Sequence, residues 1–529
     1  MTRSAWIPCL ALLLALSPAS LAREGRGPSK APVVEPFERP ETLPPGPIDA
    51  LVRDVLRDRG VHEAHACSDV VFVRRAYLDV IGTMPGPREV LAFLRDPDPG
   101  KRAALIDALM ERDAFADTWT LKWCDLLRVK AEFPVNLWPN GVQAYARWIH
   151  ESVRANKPYD RFVRELLTSS GSNFRVPPVN FYRAVQGKQP SALAAAVALT
   201  FMGARLSHWS EERRAGLEAF FSRVAFKGTA EWKEEIVFLD PAPAGPLDVV
   251  FPDGSEATIP PGEDPREAFA DWLIDADNAW FARNIVNRVW SWLMGRGIIH
   301  EPDDIRPDNP PVNPALLDYL EWELVESGFD LRHLFRLILH SRTYQQSSIP
   351  RGDPETARAL FACYPARQLD AEVLADALRK ICGFREAYSS MIPEPFTFIP
   401  PENRCITLVD GSITGPFLEM FGRPSRDTGL ESERNNDASE AQRMFLLNSS
   451  TIQKGLERCW WLKQLEKVHG KHPGRLVRMI YLIILSRGPT DAERSAVKTR
   501  FQGKKMNRHE AAVDLAWALI NSKEFLYRH

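Results

Sequence analysis

The residues best suited to chemistry are polar side chains set inside or beside apolar helical patterns. They belong to the segments IVNRVW, ARQLDAE, FGRPSR, ESER and LLNSS. Arginine binds carboxylates and phosphates through paired hydrogen bonds, so a set of this composition suits an anionic or sugar-like ligand. The candidate binding residues in these segments are Asn287, Arg288, Arg367, Arg423, Arg426, Glu433, Arg434 and Asn448.

The same residues also fit a structural interpretation. A buried arginine needs a carboxylate partner, and Arg367 or Arg423 paired with Asp370 or Glu433 would form an internal network. Such a network would hold the long irregular segment 384–436 against the helical body. Structural ion pairs cluster charged residues as binding sites do, so the sequence leaves both interpretations open.

A second group of carboxylates lies in HEPDDIRPDN, which contains Asp303, Asp304 and Asp308. Adjacent carboxylates in a loop can bind Ca²⁺ or act as acid and base in glycoside hydrolysis. They can also cap a turn, which the neighbouring prolines favour. Asp303 and Asp304 therefore join the candidate binding residues, and Ca²⁺ is a candidate ligand.

Other catalytic motifs are missing from the sequence. It has no G-x-S-x-G nucleophile motif and no glycine-rich phosphate loop. His62, His65 and Cys67 in HEAHAC have spacing that could hold zinc, but no fourth ligand is in view, so we predict a surface helix end and no metal site. No residue is singled out as catalytic.

The N-terminal residues have the pattern of a secretory signal peptide. Arg3 is followed by an apolar run from Ile7 to Leu16, and small residues near Ala22 indicate cleavage there. The run is too short to span a bilayer comfortably, and no other stretch is long and apolar enough. We therefore expect a periplasmic or secreted protein without a membrane span after cleavage.

Net charge and cysteine content limit the classes of function that the protein can have. The formal net charge of -2 gives no basic field for nucleic acid. Six cysteines follow the expected cleavage site, and some could pair in an oxidising compartment. They form no C-x-x-C element, and Cys124 and Cys382 lie on helical patterns as expected for buried thiols.

The elements that must position these residues are mainly helical. Helix starts are predicted at Asp264, Asn313, Asp330 and Asp370, with a Thr490 and Glu493 capping box. RRAGLEAFFSRV predicts an amphipathic helix, whereas IVFL, LDVVF and EATI predict a small β-ribbon. The predicted organisation is a signal peptide at 1–22, a tether at 23–46, a helical domain at 47–225, a β-containing linker at 226–262, and a helical domain at 263–529 that includes the ordered loop 384–436.

Several long segments together resemble one family. VRRAYLDVIGTMPGPREVLAFL resembles the opening of the first of two paired planctomycete cytochrome-c-associated domains of unknown function, fifteen-forty-nine and fifteen-fifty-three. AFADWLIDADNAWFARNIVNRVWSWLMGRGII resembles the start of the second domain, and FGRPSR and DLAWALINSKEFLYRH resemble its end. The resemblance runs from about Asp49 to His529. It implies an extracytoplasmic protein of a family without established activity, often fused to cytochrome c domains, with a companion family as a source of partners.

The chain departs from the family pattern where haem chemistry would lie. After a helix that ends like MGARL, the family has a C-A-x-C-H-x-H-P insert, and C-x-x-C-H attaches c-type haem through two thiols and a histidine. Here the link is LSHWSEE, with His208 and no cysteine. Asn313 replaces a histidine, and Gly429, Leu430 and Ser432 stand where the family often has cysteines. The departures indicate a haem-free member, or a branch with a shorter loop whose relatives never bound haem there.

These observations favour a non-catalytic, haem-free extracytoplasmic protein that binds a partner protein or a surface polymer. The alternative is an enzyme acting on a polysaccharide or a similar polymer, with Ca²⁺ as a candidate cofactor. Cytochrome-like electron transfer is disfavoured because the residues for covalent haem attachment are missing.

Overall fold

The computed structural model describes residues 33–40, 44–242, 245–393, 397–400, 402–470, 472–502 and 507–529, without side-chain detail at 499–502. The expected signal peptide at 1–22 lies outside these residues, as does most of the expected tether. The fold is mainly helical with small antiparallel sheets, which confirms the predicted fold class.

Helices make up most of the first half of the chain. They are α1 (Pro47–Asp58), α2 (Asp69–Ile81), α3 (Pro87–Arg95), α4 (Lys101–Met110), α5 (Asp113–Leu126), α6 (Trp138–Arg154), α7 (Tyr159–Thr168), α8 (Asn180–Arg183), α9 (Pro190–Val197) and α10 (Glu211–Ala219). A π-helical turn, Ala198–Met202, continues α9. Its wider winding leaves carbonyls for outside donors, and the Leu199 and Thr200 carbonyls accept hydrogen bonds from Arg288 and Asn284.

Within the described residues, short antiparallel strands form four small sheets. They are β1 (Glu38–Arg39), β2 (Ala66–Cys67), β3 (Gly171–Ser172), β4 (Val224–Gly228), β5 (Glu235–Leu239), β6 (Leu247–Val250), β7 (Glu256–Ile259), β8 (Arg367–Gln368) and β9 (Tyr527–Arg528). β1 pairs with β2, β5 lies between β3 and β4, β6 pairs with β7, and β8 pairs with β9. The predicted strands IVFL, LDVVF and EATI are confirmed as β5, β6 and β7.

The predicted helix in RRAGLEAFFSRV is too long. α10 ends at Ala219, and Val224 already begins β4. Phe220 and Phe221 lie between them and are fully buried, with their rings against Phe269. Because both adjacent phenylalanines are buried, the chain turns inward there instead of continuing as an amphipathic helix.

The second half is again helical. Its helices are α11 (Pro265–Leu273), α12 (Phe281–Met294), α13 (Pro314–Glu326), α14 (Leu331–His340), α15 (Pro354–Ala359), α16 (Ala371–Cys382), α17 (Pro416–Met420), α18 (Glu440–Asn448), α19 (Ser450–Arg458), α20 (Trp460–His469), α21 (Pro473–Leu485), α22 (Asp491–Gln502), α23 (Arg508–Ile520) and α24 (Lys523–Leu526). Single 3₁₀ turns occur at Cys405–Thr407 and Glu431–Glu433 within the segment 384–436.

Helix starts follow the predicted capping chemistry with one exception. The side chains of Asp264, Asn313 and Asp330 accept backbone amide hydrogen bonds at the first turns of α11, α13 and α14. Asp370 precedes α16 as predicted, but its carboxylate caps no amide. It lies 2.7 Å from the guanidinium of Arg528 instead. The Asp370 carboxylate therefore forms an ion pair and does not cap the helix.

The buried apolar residues form two clusters. The larger is built mainly from residues between Ile48 and Tyr364 and also takes in Ile392 and Leu482. The smaller is built mainly from α16–α24 and also takes in Leu78 and Met84. Residues 34–529 form one compact unit. The charged residues considered next lie where α5, α12, α16 and the segment 384–436 meet.

No helix in the described residues is both long and apolar enough to cross a bilayer.

Candidate functional site

Three arginines of the segment 384–436 converge on two carboxylates, the fully buried Glu372 and the mostly buried Asp125. Asp125 lies 2.8 Å from both Arg426 and Arg434. Glu372 lies 2.8 Å from Arg434 and 3.3 Å from Arg423. We call these five residues the central ion cluster. Arg434 joins its two halves because it is the residue that contacts both carboxylates.

Local sequence explains where the two carboxylates sit. Asp125 is in the last turn of α5, and the neighbouring Trp123 and Leu126 are both buried. Those side chains anchor α5 in the core and place the Asp125 carboxylate inside the molecule. Glu372 lies in the first turn of α16, where the helix dipole favours a negative charge.

The arginines also hold backbone carbonyls. Arg423 donates to the carbonyls of Leu408 and Asp410 at 2.8 and 3.0 Å. Arg426 donates to the Val409 carbonyl. One set of guanidinium groups therefore binds the helices through carboxylates and the irregular segment through its own carbonyls. This is the structural role that the sequence left open, in which the network holds the segment 384–436 to the helical body.

The ionisation of the cluster follows from this pairing. Burial opposes the charge of Asp125, but Arg434 and Arg426 outweigh it and lower its pKa. Burial likewise opposes the charge of Glu372, and Arg434 and Arg423 lower its pKa. Both carboxylates are thus ionised at neutral pH and depend on their arginine partners.

A second group of ion pairs is centred on Arg528, next to the C-terminal residue. Asp370 lies 2.7 Å from Arg528 and 3.4 Å from Lys122. Asp79 lies 3.2 Å from Arg528 and 3.6 Å from Arg367. Despite burial, the charges of Arg528 and Lys122 hold the pKa of Asp370 well below its usual value.

The predicted pairing was right about which arginines are internally paired and wrong about their partners. Arg367 pairs with Asp79 and Arg423 pairs with Glu372. The predicted acceptor Glu433 binds backbone amides of Asp427 and Thr428 instead. A carboxylate within a tight turn meets the amides of that turn before it can reach a distant arginine.

A third group joins α12 to the same region. Arg288 lies 2.6 Å from Asp303, and both side chains are almost fully buried. Asp303 also accepts the backbone amide of Glu431 at 2.6 Å, while Trp292 donates to the Glu431 carboxylate at 3.1 Å. Burial raises the pKa of Glu431, although Lys122 and Arg288 act in the opposite direction. Burial also lowers the pKa of Lys122.

A small cavity lies between these groups. Its charged lining residues are Lys122, Asp125, Glu431 and Arg434. Its volume is about 10 Å³, which is space for about one water molecule. Opposed pKa shifts on a lysine and a glutamate are typical of acid–base sites, but a cavity of this size admits no sugar ring. In this conformation the polar centre is closed.

The other predicted residues lie outside this centre. Asn287 is buried and hydrogen-bonds both the amide and the carbonyl of Ile299. Asn448 is exposed at the end of α18 and donates to the Met444 carbonyl. Of the candidate set, the structure brings together Arg423, Arg426 and Arg434, and separately Arg288 and Asp303.

The two adjacent aspartates point to different partners. Asp303 faces Arg288, whereas Asp304 lies 3.1 Å from Arg306 and 3.3 Å from Nδ1 of His208. Within the described residues, no three His, Cys, Asp or Glu side chains come together as ligands for a metal ion. His208 is exposed in a 3₁₀ turn, Leu206–His208, that makes up most of the short link before α10.

Several members of these networks were not predicted from the sequence. They are Asp79, Lys122, Asp125, Glu372, Glu431 and Arg528. Asp125 carried a usable signal, since a carboxylate between buried apolar residues of one helix requires a partner. Glu372 carried none, because an acidic residue in a first helical turn is already explained by the helix dipole.

The cysteines add no reactive group. All six in the described residues are buried and unpaired. Burial raises the thiol pKa of Cys124 to about 12 and those of Cys363 and Cys382 to about 11. Buried thiols of this kind are inert packing residues.

The protein is mainly helical, and residues from the first and second halves of the chain share one buried charge network. Residues 47–208 match the model described as PSCyt2, Protein of unknown function (DUF1549). Residues 265–501 match PSD1, Protein of unknown function (DUF1553). The chain belongs to the family that pairs these two domains, which confirms the resemblance. Comparison with curated proteins and with solved structures gives no significant match.

Proposed function

We propose that the chain is an extracytoplasmic, haem-free binding protein without catalytic activity, which engages a partner protein or a surface polymer. The closed polar centre carries this proposal. The buried arginines of the candidate set are held by buried carboxylates, and the cavity between them has room for about one water molecule. A substrate would have to displace ion pairs that hold the segment 384–436 in place.

The location rests on the N-terminal sequence pattern. A positive start, a short apolar run and small residues before Arg23 are typical of a secretory signal. The family resemblance adds a partner class, because its members occur with a companion protein family. A protein of that companion family, or a polysaccharide outside the cell, is the proposed partner.

The proposal that the protein is haem-free rests on the residues in two places where the family pattern has cysteines. Between the π-helical turn and α10 the chain offers His208, which is paired with Asp304, and no cysteine. At position 429 the backbone has a φ of 73°, and an added Cβ would lie 2.7 Å from the Leu126 carbonyl oxygen. A cysteine would be strained there, so glycine fits this backbone and a thiol ligand does not.

A second candidate function is polymer hydrolysis, which one observation favours. Glu431 has a raised pKa and Lys122 a lowered one, and both line the same small cavity. A carboxyl group whose pKa is raised is a candidate general acid. This activity would require the segment that carries Pro424 and Glu431 to move away from α5.

Binding and hydrolysis are separated by one experiment. The full chain is incubated with neutral and acidic polysaccharides, and both mobility in affinity gels and new reducing ends are measured. Retardation without new reducing ends is the expected result. New reducing ends that disappear in Glu431→Gln would establish hydrolysis instead. Stoichiometric iron in the protein, made in a host that matures c-type cytochromes, would contradict the haem-free part.

A further inference from the structure

A wide groove lies on the surface of the smaller core. It has a volume of about 590 Å³, within the roughly 300–1,000 Å³ typical of ligand sites. It lies between the end of α16, the face of α19 and the start of α20. We call it the basic groove and define it by six of its lining residues, Arg379, Lys380, Lys454, Arg458, Trp460 and Trp461.

Backbone packing fixes the floor of the groove. An added Cβ at Gly455 would lie 2.2 Å from the Cys382 carbonyl oxygen, so α19 approaches the end of α16 only with glycine there. Trp461 donates its indole N–H to the Ile381 carbonyl at 2.7 Å and holds the start of α20. The groove is therefore set by packed helices and not by a loop.

The groove is strongly cationic although the chain as a whole is slightly acidic. It contains four lysine and arginine side chains, and no aspartate or glutamate belongs to its lining in the part of the chain that is described. Arg379 and Lys380 donate to backbone carbonyls of Asn403 and Met84, which fixes their positions. A local cluster of one charge sign attracts a ligand of the opposite sign.

Two of these cations are available to a ligand. Lys454 and Arg458 are exposed one turn apart on α19, and neither makes an ion pair or side-chain hydrogen bond within the described residues. The nearby Glu457 accepts a hydrogen bond from Gln453 and is not part of the groove lining. No carboxylate of the described residues therefore lies within ion-pair distance of Lys454 or Arg458.

The groove also presents a flat apolar surface. Trp460 is 73% exposed, so its indole ring is open to solvent beside the groove. A sugar ring has an apolar C–H face that stacks on an indole and hydroxyl or acidic groups at its edge. The lining combines two tryptophans with four lysine and arginine side chains. An indole beside two free cations thus matches a charged sugar better than an acidic peptide.

We propose that the basic groove binds an acidic polysaccharide, with Trp460 under a sugar ring and Lys454 and Arg458 against its carboxylate or sulfate groups. The inference rests on the proposed binding function and names the ligand class. It is tested with the full chain by titration with polygalacturonate, and with poly-L-glutamate as a polymer of the same acidic group without sugar rings.

The expected results concern affinity for polygalacturonate. Wild-type protein binds it more tightly than poly-L-glutamate, and Trp460→Ala weakens that binding about tenfold. The double variant Lys454→Gln, Arg458→Gln weakens it by at least about tenfold and makes it less sensitive to salt. All of these residues are exposed, so the melting temperature should stay unchanged.

Matched controls exist elsewhere on the surface. Trp232 is 70% exposed and stands beside Lys233, with Lys227 on the preceding strand β4. Trp232→Ala and the double variant Lys227→Gln, Lys233→Gln should leave the affinity for polygalacturonate unchanged.

Each other outcome overturns the inference in a recognisable way. If both polymers bind with equal affinity and Trp460→Ala leaves that affinity unchanged, the groove recognises negative charge or an acidic peptide and not a sugar. If none of the groove variants changes the affinity, the polymer binds elsewhere on the protein, and the proposed function still stands. No binding of polygalacturonate would overturn the inference, whereas failure of the proposed function would appear as new reducing ends.

Discussion

Replacing Arg434 with methionine tests the central ion cluster most sharply. Arg434 lies 2.8 Å from both Asp125 and Glu372, and the three side chains are nearly buried. Removing one partner from a buried ion pair typically costs about 3–5 kcal/mol, because it leaves charges without compensation. Here two carboxylates lose their shared partner, so we expect a loss in that range.

The size of the thermal shift follows from the size of the molecule. With an unfolding entropy of about 2.1 cal/mol/K per residue over roughly 500 residues, 1 kcal/mol corresponds to about 1 °C. Arg434→Met should therefore lower Tm by about 3–5 °C at pH 7, measured by differential scanning calorimetry. Arg434→Lys keeps the charge but not the fork that reaches both carboxylates, so it should fall between methionine and wild type.

The pH dependence gives a second signature. The pKa values of Asp125 and Glu372 are lowered in the folded protein. Their contribution to stability is therefore complete above the unfolded values of 3.8 and 4.5 and is lost as pH falls through the folded ones. The Tm difference between wild type and Arg434→Met should shrink as the pH drops below 4.

The control is a surface ion pair. Arg443 is about 57% exposed and pairs with Glu440 on α18. Arg443→Met should change stability by no more than about 0.5 kcal/mol, because exposed pairs of this kind contribute little. If Arg434→Met were as stable as Arg443→Met at pH 7, the reasoning about the cluster would be refuted.

Further predictions follow from neighbouring groups. Arg528→Ala leaves Asp79 and Asp370 without their shared cation, so it should cost about 3–5 kcal/mol in denaturant unfolding; a loss below 1 kcal/mol would contradict this. Glu431 has a raised pKa, so its contribution is complete below 4.5 and is lost as pH rises; Glu431→Gln should raise Tm at pH 8 relative to wild type but not at pH 4.5, and an unchanged difference would contradict it. In a chain starting at residue 23, the six thiols should react with Ellman's reagent only after unfolding, and rapid reaction of a native thiol would contradict their burial.

The parts of the fold that local chemistry decides were predictable from the sequence. Asn313 and Asp330 cap their helices because each acceptor lies within three residues of its amide. The strands β5–β7 follow from short β-branched runs between turn residues. The helix predicted through Phe220 failed because burial of adjacent aromatic residues overrode the helical period.

The ion pairs could not be assigned from the sequence because they join distant parts of the chain. Arg426 and Asp125 are 301 positions apart, and Arg434 and Asp125 are 309 apart. Composition indicates that a buried arginine needs a carboxylate, but many carboxylates satisfy that condition. Only the packing of α5 and of α16 against the segment 384–436 selects among them. The basic groove was missed for a similar reason, since its cations come from helices α16 and α19 that are separated by the same long segment.

The central claim is that the buried cluster stabilises the fold while binding takes place at the surface. The most direct test measures Tm and the dissociation constant for polygalacturonate in parallel for two variants, at a temperature well below both melting points. Arg434→Met should lower Tm and leave the affinity unchanged. The double variant Lys454→Gln, Arg458→Gln should lower the affinity and leave Tm unchanged. A loss of affinity in Arg434→Met at unchanged Tm would show that the cluster binds the ligand and would contradict the account.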